Sequence, residues 1–403
     1  MRCRTPDHQV FHSMRRLLWC WPAALAATGA AFAQGQTAAL DASLNPAQRI
    51  VAHVVVGGLE HPWAVGFLPD GRYLITERPG RLRMATPDGQ LLAPIAGLPA
   101  IANGGQGGLL DLALDSDFSH NRMLYFCFSE PGSGADLGKN GTALARARLS
   151  NDGLRLENLQ VIFSQRPKVA SRLHFGCRIV ERQVDGRSDG TLFLTLGERF
   201  AEKDQAQSLQ SHLGKVVRVG KDGHIPPDNP FVSNTGAWPE IWSLGHRNVQ
   251  GAVLAPNGEL WIHEHGPQGG DEVNRLEAGK NYGWPVITYG ENYGGGKIGA
   301  GISQQAGMEQ PLHYWVPSMG PSGMAFITSD RYGQAWQGSL MIGALKTRML
   351  ERLSLRNGQI IASEPLLPRL GRRVRDVRQG PDGWLYILTD ESAGQLLRLQ
   401  AEP

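Results

Sequence analysis

The side chains able to do chemistry in this 403-residue chain stand singly or in short clusters. His174 lies in Leu173-His174-Phe175-Gly176. A neutral imidazole accepts a proton near neutral pH, so His174 is a candidate general base. The plainer alternative is a core histidine with both ring nitrogens satisfied. Cys177 follows closely but has no identifiable partner base and is a weak nucleophile candidate. Arg247-Asn248 joins a cation to an amide, a pair that steadies developing negative charge when desolvated and is ordinary on a surface. His263 and His265 invite a zinc reading, but no third ligand at suitable spacing accompanies them. Asp271-Glu272 adds two carboxylates in a polar loop. Arg369, Arg372, Arg373, Arg375 and Arg378 crowd one stretch. In a strand, Arg373 and Arg375 share a face with Val374 opposite, and Arg369, Arg372 and Arg378 are left as solvent-facing charges. No nucleic-acid-binding motif accompanies the run, and no strand-to-helix Gly-x-Gly-x-x-Gly offers a dinucleotide site.

Short strands must position these groups. A turn followed by an apolar run recurs six times: Asp70-Gly71 before Tyr73-Leu74-Ile75, Asn121-Arg122 before Met123 to Phe126, and Asp189-Gly190 before Leu192-Phe193-Leu194. Asn257-Gly258 before Leu260-Trp261-Ile262, Gln337-Gly338 before Leu340-Met341-Ile342 and Asp382-Gly383 before Leu385-Tyr386-Ile387 complete the set. Asp-Gly and Asn-Gly tolerate the positive φ of tight turns, and the residues after them favour pleated strands. Aligned on Tyr73, Leu124, Leu192, Leu260, Leu340 and Leu385, the units lie 51, 68, 68, 80 and 45 residues apart. The shortest spacing holds a blade of about four short strands, so the expectation is an all-β fold, a six-bladed β-propeller. The alternative is a large antiparallel protein with ordinary hairpins. The apolar segment Ile50 to Val56 is expected to pair near the C-terminus and close the ring, removing open sheet edges. Residues 287–313, with Tyr289, Tyr293 and a glycine cluster, read as an extended loop over one face.

Motifs in order over residues 51–395 resemble the soluble aldose sugar dehydrogenases that use pyrroloquinoline quinone (PQQ), relatives of the soluble PQQ glucose dehydrogenases. They are His61-Pro62-Trp63, Thr76 to Gly80, Gly105 to Leu109, Leu173 to Gly176, Leu244 to Asn248, His265-Gly266-Pro267 with Asp271-Glu272, Asn281 to Pro285, and Arg373 to Asp376. The resemblance implies a six-bladed propeller with PQQ near its channel and Ca²⁺ beside it, oxidising an aldose at its anomeric carbon to a lactone. His174 would be the base and Arg247 the cation near the reactive carbonyl, with Asn248 orienting the same region. Gln106 would contact cofactor and substrate, and Lys346, Arg373 and Arg375 would meet the cofactor's carboxylates. The carbonyls of Gly266 and Pro267 would ligate the cofactor calcium. Glu272 and the carbonyl of Tyr282 would form part of a structural calcium site. Asp271 matches an active-site acidic residue, placed against substrate or orienting the ligands around it. Leu173 stands where the glucose-specific branch has an acidic residue that contacts sugar, which argues for broad aldose use.

Residues 1–33 read as a secretory leader: Arg15-Arg16, an apolar run, then Ala31-Phe32-Ala33 with cleavage before Gln34, and Met14 as an alternative start. Residues 34–403 are then a single catalytic domain. Removing Arg2, Arg4, Arg15, Arg16 and Asp7 from 40 basic and 37 acidic residues leaves 36 of each. No global field remains to recruit nucleic acid or membrane, and no further apolar stretch is long enough to span a bilayer. A periplasmic or secreted monomer is expected, passing electrons to an external acceptor such as a quinone or small redox protein. Cys127 and Cys177 form either a disulfide or two buried thiols. Two rivals need no PQQ: a calcium-dependent propeller hydrolase acting on a lactone, and a noncatalytic sugar-binding propeller.

Overall fold

In the computed structural model, which describes residues 49–402, each of the six recurring segments lies on the second strand of an antiparallel meander. The six meanders are the blades of a β-propeller. The expected leader lies outside the described residues. Blade 1 has three strands, Pro62–Phe67, Tyr73–Glu77 and Arg81–Ala85. Blade 2 runs Leu109–Leu114, Met123–Pro131, Asn140–Leu149 and Leu156–Ser164. Blade 3 is Gly176–Val184, Arg187–Leu196, Lys215–Gly220 and Ile241–Leu244. Blade 4 is Val249–Leu254, Leu260–Glu264, Asp271–Leu276 and His313–Trp315. Blade 5 is Pro321–Phe326, Leu340–Ala344, Leu350–Arg356 and Gln359–Leu366. Blade 6 takes Val374–Gln379, Leu385–Thr389 and Gly394–Ala401, and its fourth strand, Ile50–Leu59, comes from the other end of the chain. The expected closure is therefore present, with Ile50 opposite Ala401 and Val54 opposite Leu397.

Tyr73–Glu77, Leu260–Glu264, Leu340–Ala344 and Leu385–Thr389 are buried along their whole length. A sheet sandwiched between neighbours has no wet face, so these strands read as continuous apolar runs. Outer strands alternate instead, as Leu156–Ser164 does. Gly71, Gly258 and Gly383 take φ of +84°, +84° and +83°, as their turns require. Blade 3 departs from expectation. Its first hairpin turns at Asp185-Gly186, φ +50° and +73°, between Val184 and Arg187. Asp189-Gly190 falls inside the second strand, where pairing breaks between Ser188 and Leu192.

The first strands of successive blades pack against one another around the channel. Arg378 lies on one of them, which corrects its expected solvent-facing role. Strands around the channel bury both faces, so this guanidinium meets Asp111 and Asp376. Arg178 joins them, 2.7 Å from Asp376 and 3.3 Å from Asp111, under the Trp63 ring at 4.2 Å. Cys127 of blade 2 and Cys177 of blade 3 form a disulfide, settling the two readings. Residues 277–312 form the extended excursion between the last two strands of blade 4, with Tyr289 stacked on Tyr314 at 3.9 Å.

Candidate active site

Loops entering the first strands and leaving the second strands meet on one face of the ring. They enclose a cavity of about 310 Å³ lined by Trp63, Arg78, Gln106, Asn248, Lys346, Arg373, Arg375 and Asp390, among others. This volume is within the usual range for small-molecule sites, about 300–1,000 Å³.

His174 lies two residues before the first strand of blade 3 and takes φ +50°. Its backbone N–H donates to Gln106 Oε1 at 2.8 Å. Gly197, just past the end of the neighbouring strand, admits this loop: a Cβ there would lie 2.1 Å from the His174 carbonyl oxygen. The ring is buried, and Nδ1 lies 3.0 Å from Oε1 of Glu198. An ionised carboxylate only accepts, so Nδ1 carries the proton and Nε2 the lone pair. Nε2 has no hydrogen-bond partner among the described residues. Burial lowers the imidazole pKa from 6.5, opposed by Glu198 and reinforced by Arg247. His246 repeats the arrangement in blade 4 with Glu264 at 2.9 Å, but Ser243 takes its Nε2, so both nitrogens are satisfied.

Arg247 is buried beside this pair, its Nε 4.0 Å from Glu198. It donates to the carbonyls of His265 (3.1 Å) and Gly266 (2.7 Å) and to the Tyr293 hydroxyl (3.4 Å). Asn248 lines the cavity and accepts from Gly176 N–H at 3.2 Å. Asp271, expected against substrate or orienting the ligands around it, lies outside the cavity lining, as do His174 and Arg247. Its oxygens accept from Gly266 N–H (2.8 Å), Ser318 Oγ (2.7 Å), Met319 N–H (2.8 Å) and Gly320 N–H (3.0 Å). Through these bonds it shapes the Gly266-Pro267 loop and the entry to blade 5.

Lys346, Arg373 and Arg375 line the cavity together, and Arg78 joins them. Asp390 is the one carboxylate facing these four cations in the cavity lining. It pairs with Arg375 at 2.8 Å, Arg373 at 3.4 Å and His61 at 3.0 Å. Arg375 also bonds Gln250 at 3.1 Å, while its buried Nε is unpartnered. A surplus of cations round a half-apolar cavity fits a flat polycarboxylate such as PQQ. Glu272 and Tyr282 flank a second, very small space with Glu264, Gly266 and Thr288. Burial, with Glu264 and Asp271 close by, pushes the Glu272 carboxyl up to about 8. A carboxyl so short of counter-charge suits a hard cation taking oxygen ligands. His263, by contrast, is wholly buried with neither ring nitrogen bonded, and His265 Nε2 donates to Pro321 O at 2.6 Å.

Residues 59–398 match the family model described as Glucose / Sorbosone dehydrogenase. The chain belongs to that family. The aldose sugar dehydrogenase YliI of Escherichia coli is 46% identical over 344 residues, spanning 85% of this chain and 90% of YliI. The crystal structure of the soluble aldose sugar dehydrogenase from Escherichia coli, in its apo form, superposes with a TM-score of 0.82 at 44% identity, covering 88% of this chain and 100% of that one. The PQQ-bound aldose sugar dehydrogenase of Streptomyces coelicolor gives 0.71 at 26% identity, covering 89% and 100%.

The sequence motifs do not by themselves assign a site role to Glu198, Asp390, Arg78 or Tyr293. A signal existed for the carboxylates. Glu77, Glu198, Glu264 and Asp390 are all buried at or just beyond the ends of second strands, each a short step after a recurring turn and strand. Tyr293 belongs to the extended loop, which carries it across to Arg247.

Proposed function

We propose that this protein oxidises aldose sugars at the anomeric C1 hydroxyl to lactones, with PQQ and Ca²⁺ as cofactors. The observation that carries the reading is a base with a free nitrogen, His174, whose backbone is held by Gln106 and followed by Phe175 and Gly176, all three of which line a cavity rich in cations. Lys346, Arg373, Arg375 and Arg78 would hold the carboxylates of PQQ, while Gln106, Arg247 and Asn248 would contact its reactive end. The carbonyls of Gly266 and Pro267 would ligate the cofactor calcium, and Glu272 with the Tyr282 carbonyl a structural one. Bound there, PQQ would supply the hydride acceptor, with an external quinone or small redox protein as the final electron acceptor.

The chain's own residues then have defined tasks. His174 Nε2 takes the C1 hydroxyl proton as the C1–H bond breaks, and Glu198 steadies the imidazolium that results. Arg247 provides fixed positive charge where negative charge develops, which preorganised groups do without reorganisation cost. Asp271 orients Gly266 through its backbone N–H, and Gln106 fixes the His174 main chain. Leu173 leaves the sugar without an acidic partner beside the base, consistent with broad aldose use.

A periplasmic or secreted location is supported by the leader expected from the sequence and by the disulfide, and a monomer is proposed. Among the described residues no helix is long and apolar enough to cross a membrane. The test is dye reduction with glucose, galactose, xylose and maltose by protein supplied with Ca²⁺, with or without PQQ. Turnover that needs both additions and disappears in His174→Ala is expected. Hydrolysis of a lactone without PQQ, or unchanged turnover in the variant, would overturn the proposal.

A further inference from the structure

Phe200 has no task in that scheme, yet the residue is 45% exposed beside the buried base. It meets His174 edge-to-face, centroids 5.3 Å apart at 76°. It also stacks on Tyr293 at 6.3 Å and 27°, and Tyr293 is itself 62% exposed and tied to Arg247. Apolar surface left in water is unfavourable unless something covers it.

The backbone underneath is strained. Arg199 and Phe200 are consecutive non-glycine residues with φ of +67° and +71°, a conformation that persists only where the surroundings fix it. Here they do. Arg199 is wholly buried and donates to the carbonyls of Leu173 (2.9 Å), Ser171 (2.6 Å) and Asn140 (3.2 Å) and to Asn140 Oδ1 (2.7 Å). Its guanidinium lies 3.8 Å from the Phe175 ring centroid. Glu198 accepts the Phe200 N–H with one oxygen while holding His174 with the other. One short turn thus anchors the base and holds an aromatic ring out toward solvent beside it.

We propose that Phe200 is a sugar-stacking residue: its ring receives the C–H face of an aldopyranose whose anomeric hydroxyl meets His174. Pyranoses with equatorial hydroxyls present axial C–H bonds on both faces, and such faces pack on aromatic rings. The identity of the ligand rests on the proposed sugar oxidation. Recognition through a ring face rather than through particular hydroxyls admits several aldoses, and Leu173 keeps the same neighbourhood apolar. Phe200 is then a determinant of breadth as well as of affinity.

The competing role is a shield that only keeps water from His174. Full-length protein, Phe200→Ala and Phe200→Trp should be compared by saturation-transfer NMR with glucose and xylose, irradiating aromatic protons, with and without PQQ and Ca²⁺. Transfer to axial sugar protons is expected in wild type and in Phe200→Trp and should be lost in Phe200→Ala. In the loaded enzyme Phe200→Ala should raise KM about tenfold, as loss of an aromatic contact does, with kcat within about twofold and the acid limb of the pH profile unmoved. Undiminished transfer and KM in Phe200→Ala would overturn the proposal, as would a change confined to the acid limb, the mark of a shield. Failure of the cofactor reading would show separately, as wild type that does not bind PQQ, and the sugar transfer measured without PQQ would still decide the role of Phe200.

Discussion

At the scale of single residues, the His174–Glu198 pair governs proton handling. Because burial holds the imidazole pKa below 6.5, His174 is harder to protonate than a free imidazole and loses its basicity only as pH falls through the lowered value. The acid limb of kcat/KM should therefore lie below 6.5, and a limb above it would contradict the burial. Glu198→Gln removes the group that raises this pKa, so the limb should move further toward acid. The amide can also donate to Nδ1 and force the proton onto Nε2, the wrong tautomer for a base. A fall in kcat of about 10²–10⁴-fold is expected, with PQQ affinity, read by fluorescence quenching, unchanged. His174 was legible in the sequence because its flanking residues are local. Glu198 was not, since it arrives from the far end of a hairpin, 24 residues on. His61 and Asp390, 329 residues apart, could be paired only by the closed ring.

At the scale of elements, the disulfide ties the second strand of blade 2 to the first strand of blade 3, three residues beyond His174. Cys177 sits at φ +81°, so the bridge also fixes an unusual backbone beside the base. The paired substitution Cys127→Ser with Cys177→Ser should cost about 2–4 kcal/mol of stability, measured as a lower thermal midpoint, and should lower kcat. Unchanged melting would show that packing alone holds this junction. The recurring turn and strand was readable because each unit is contiguous and its burial is uniform. The blade 3 hairpin was misplaced because two Asp-Gly pairs lie within six residues of each other there, Asp185-Gly186 and Asp189-Gly190. Both satisfy turn chemistry, and only the pairing of Arg187 with Val184 selects the first.

Across the whole molecule, the four-charge cluster of Arg178, Asp111, Asp376 and Arg378 joins the first strands of blades 2, 3 and 6. It extends to blade 1 through Val65 N–H, 3.3 Å from Asp376, and to blade 4 through the Gln250 carbonyl, 2.7 Å from Arg178 Nε. Two cations balance two carboxylates, so removing one member leaves a buried charge short of its partner. Arg178→Met should destabilise by about 3–5 kcal/mol, seen as an earlier unfolding transition, whereas an exposed pair such as Lys139–Asp136 should be nearly silent when broken. No periodicity announces this cluster, because its partners lie up to 267 residues apart and meet only at the centre of the ring.

Strand Ile50–Leu59 completes blade 6 beside Gly394–Ala401, and beyond the last pair Glu402 N–H donates to the Arg49 carbonyl at 2.7 Å while the two side chains form an ion pair at 3.0 Å. Residues 49 and 402 are thus neighbours, and the propeller has no privileged starting point. A short linker between them would allow the chain to be reopened at another outer loop, such as the turn at Asn357-Gly358 between the last two strands of blade 5. The order of the blades round the ring would be unchanged, and so would the walls of the cavity they share.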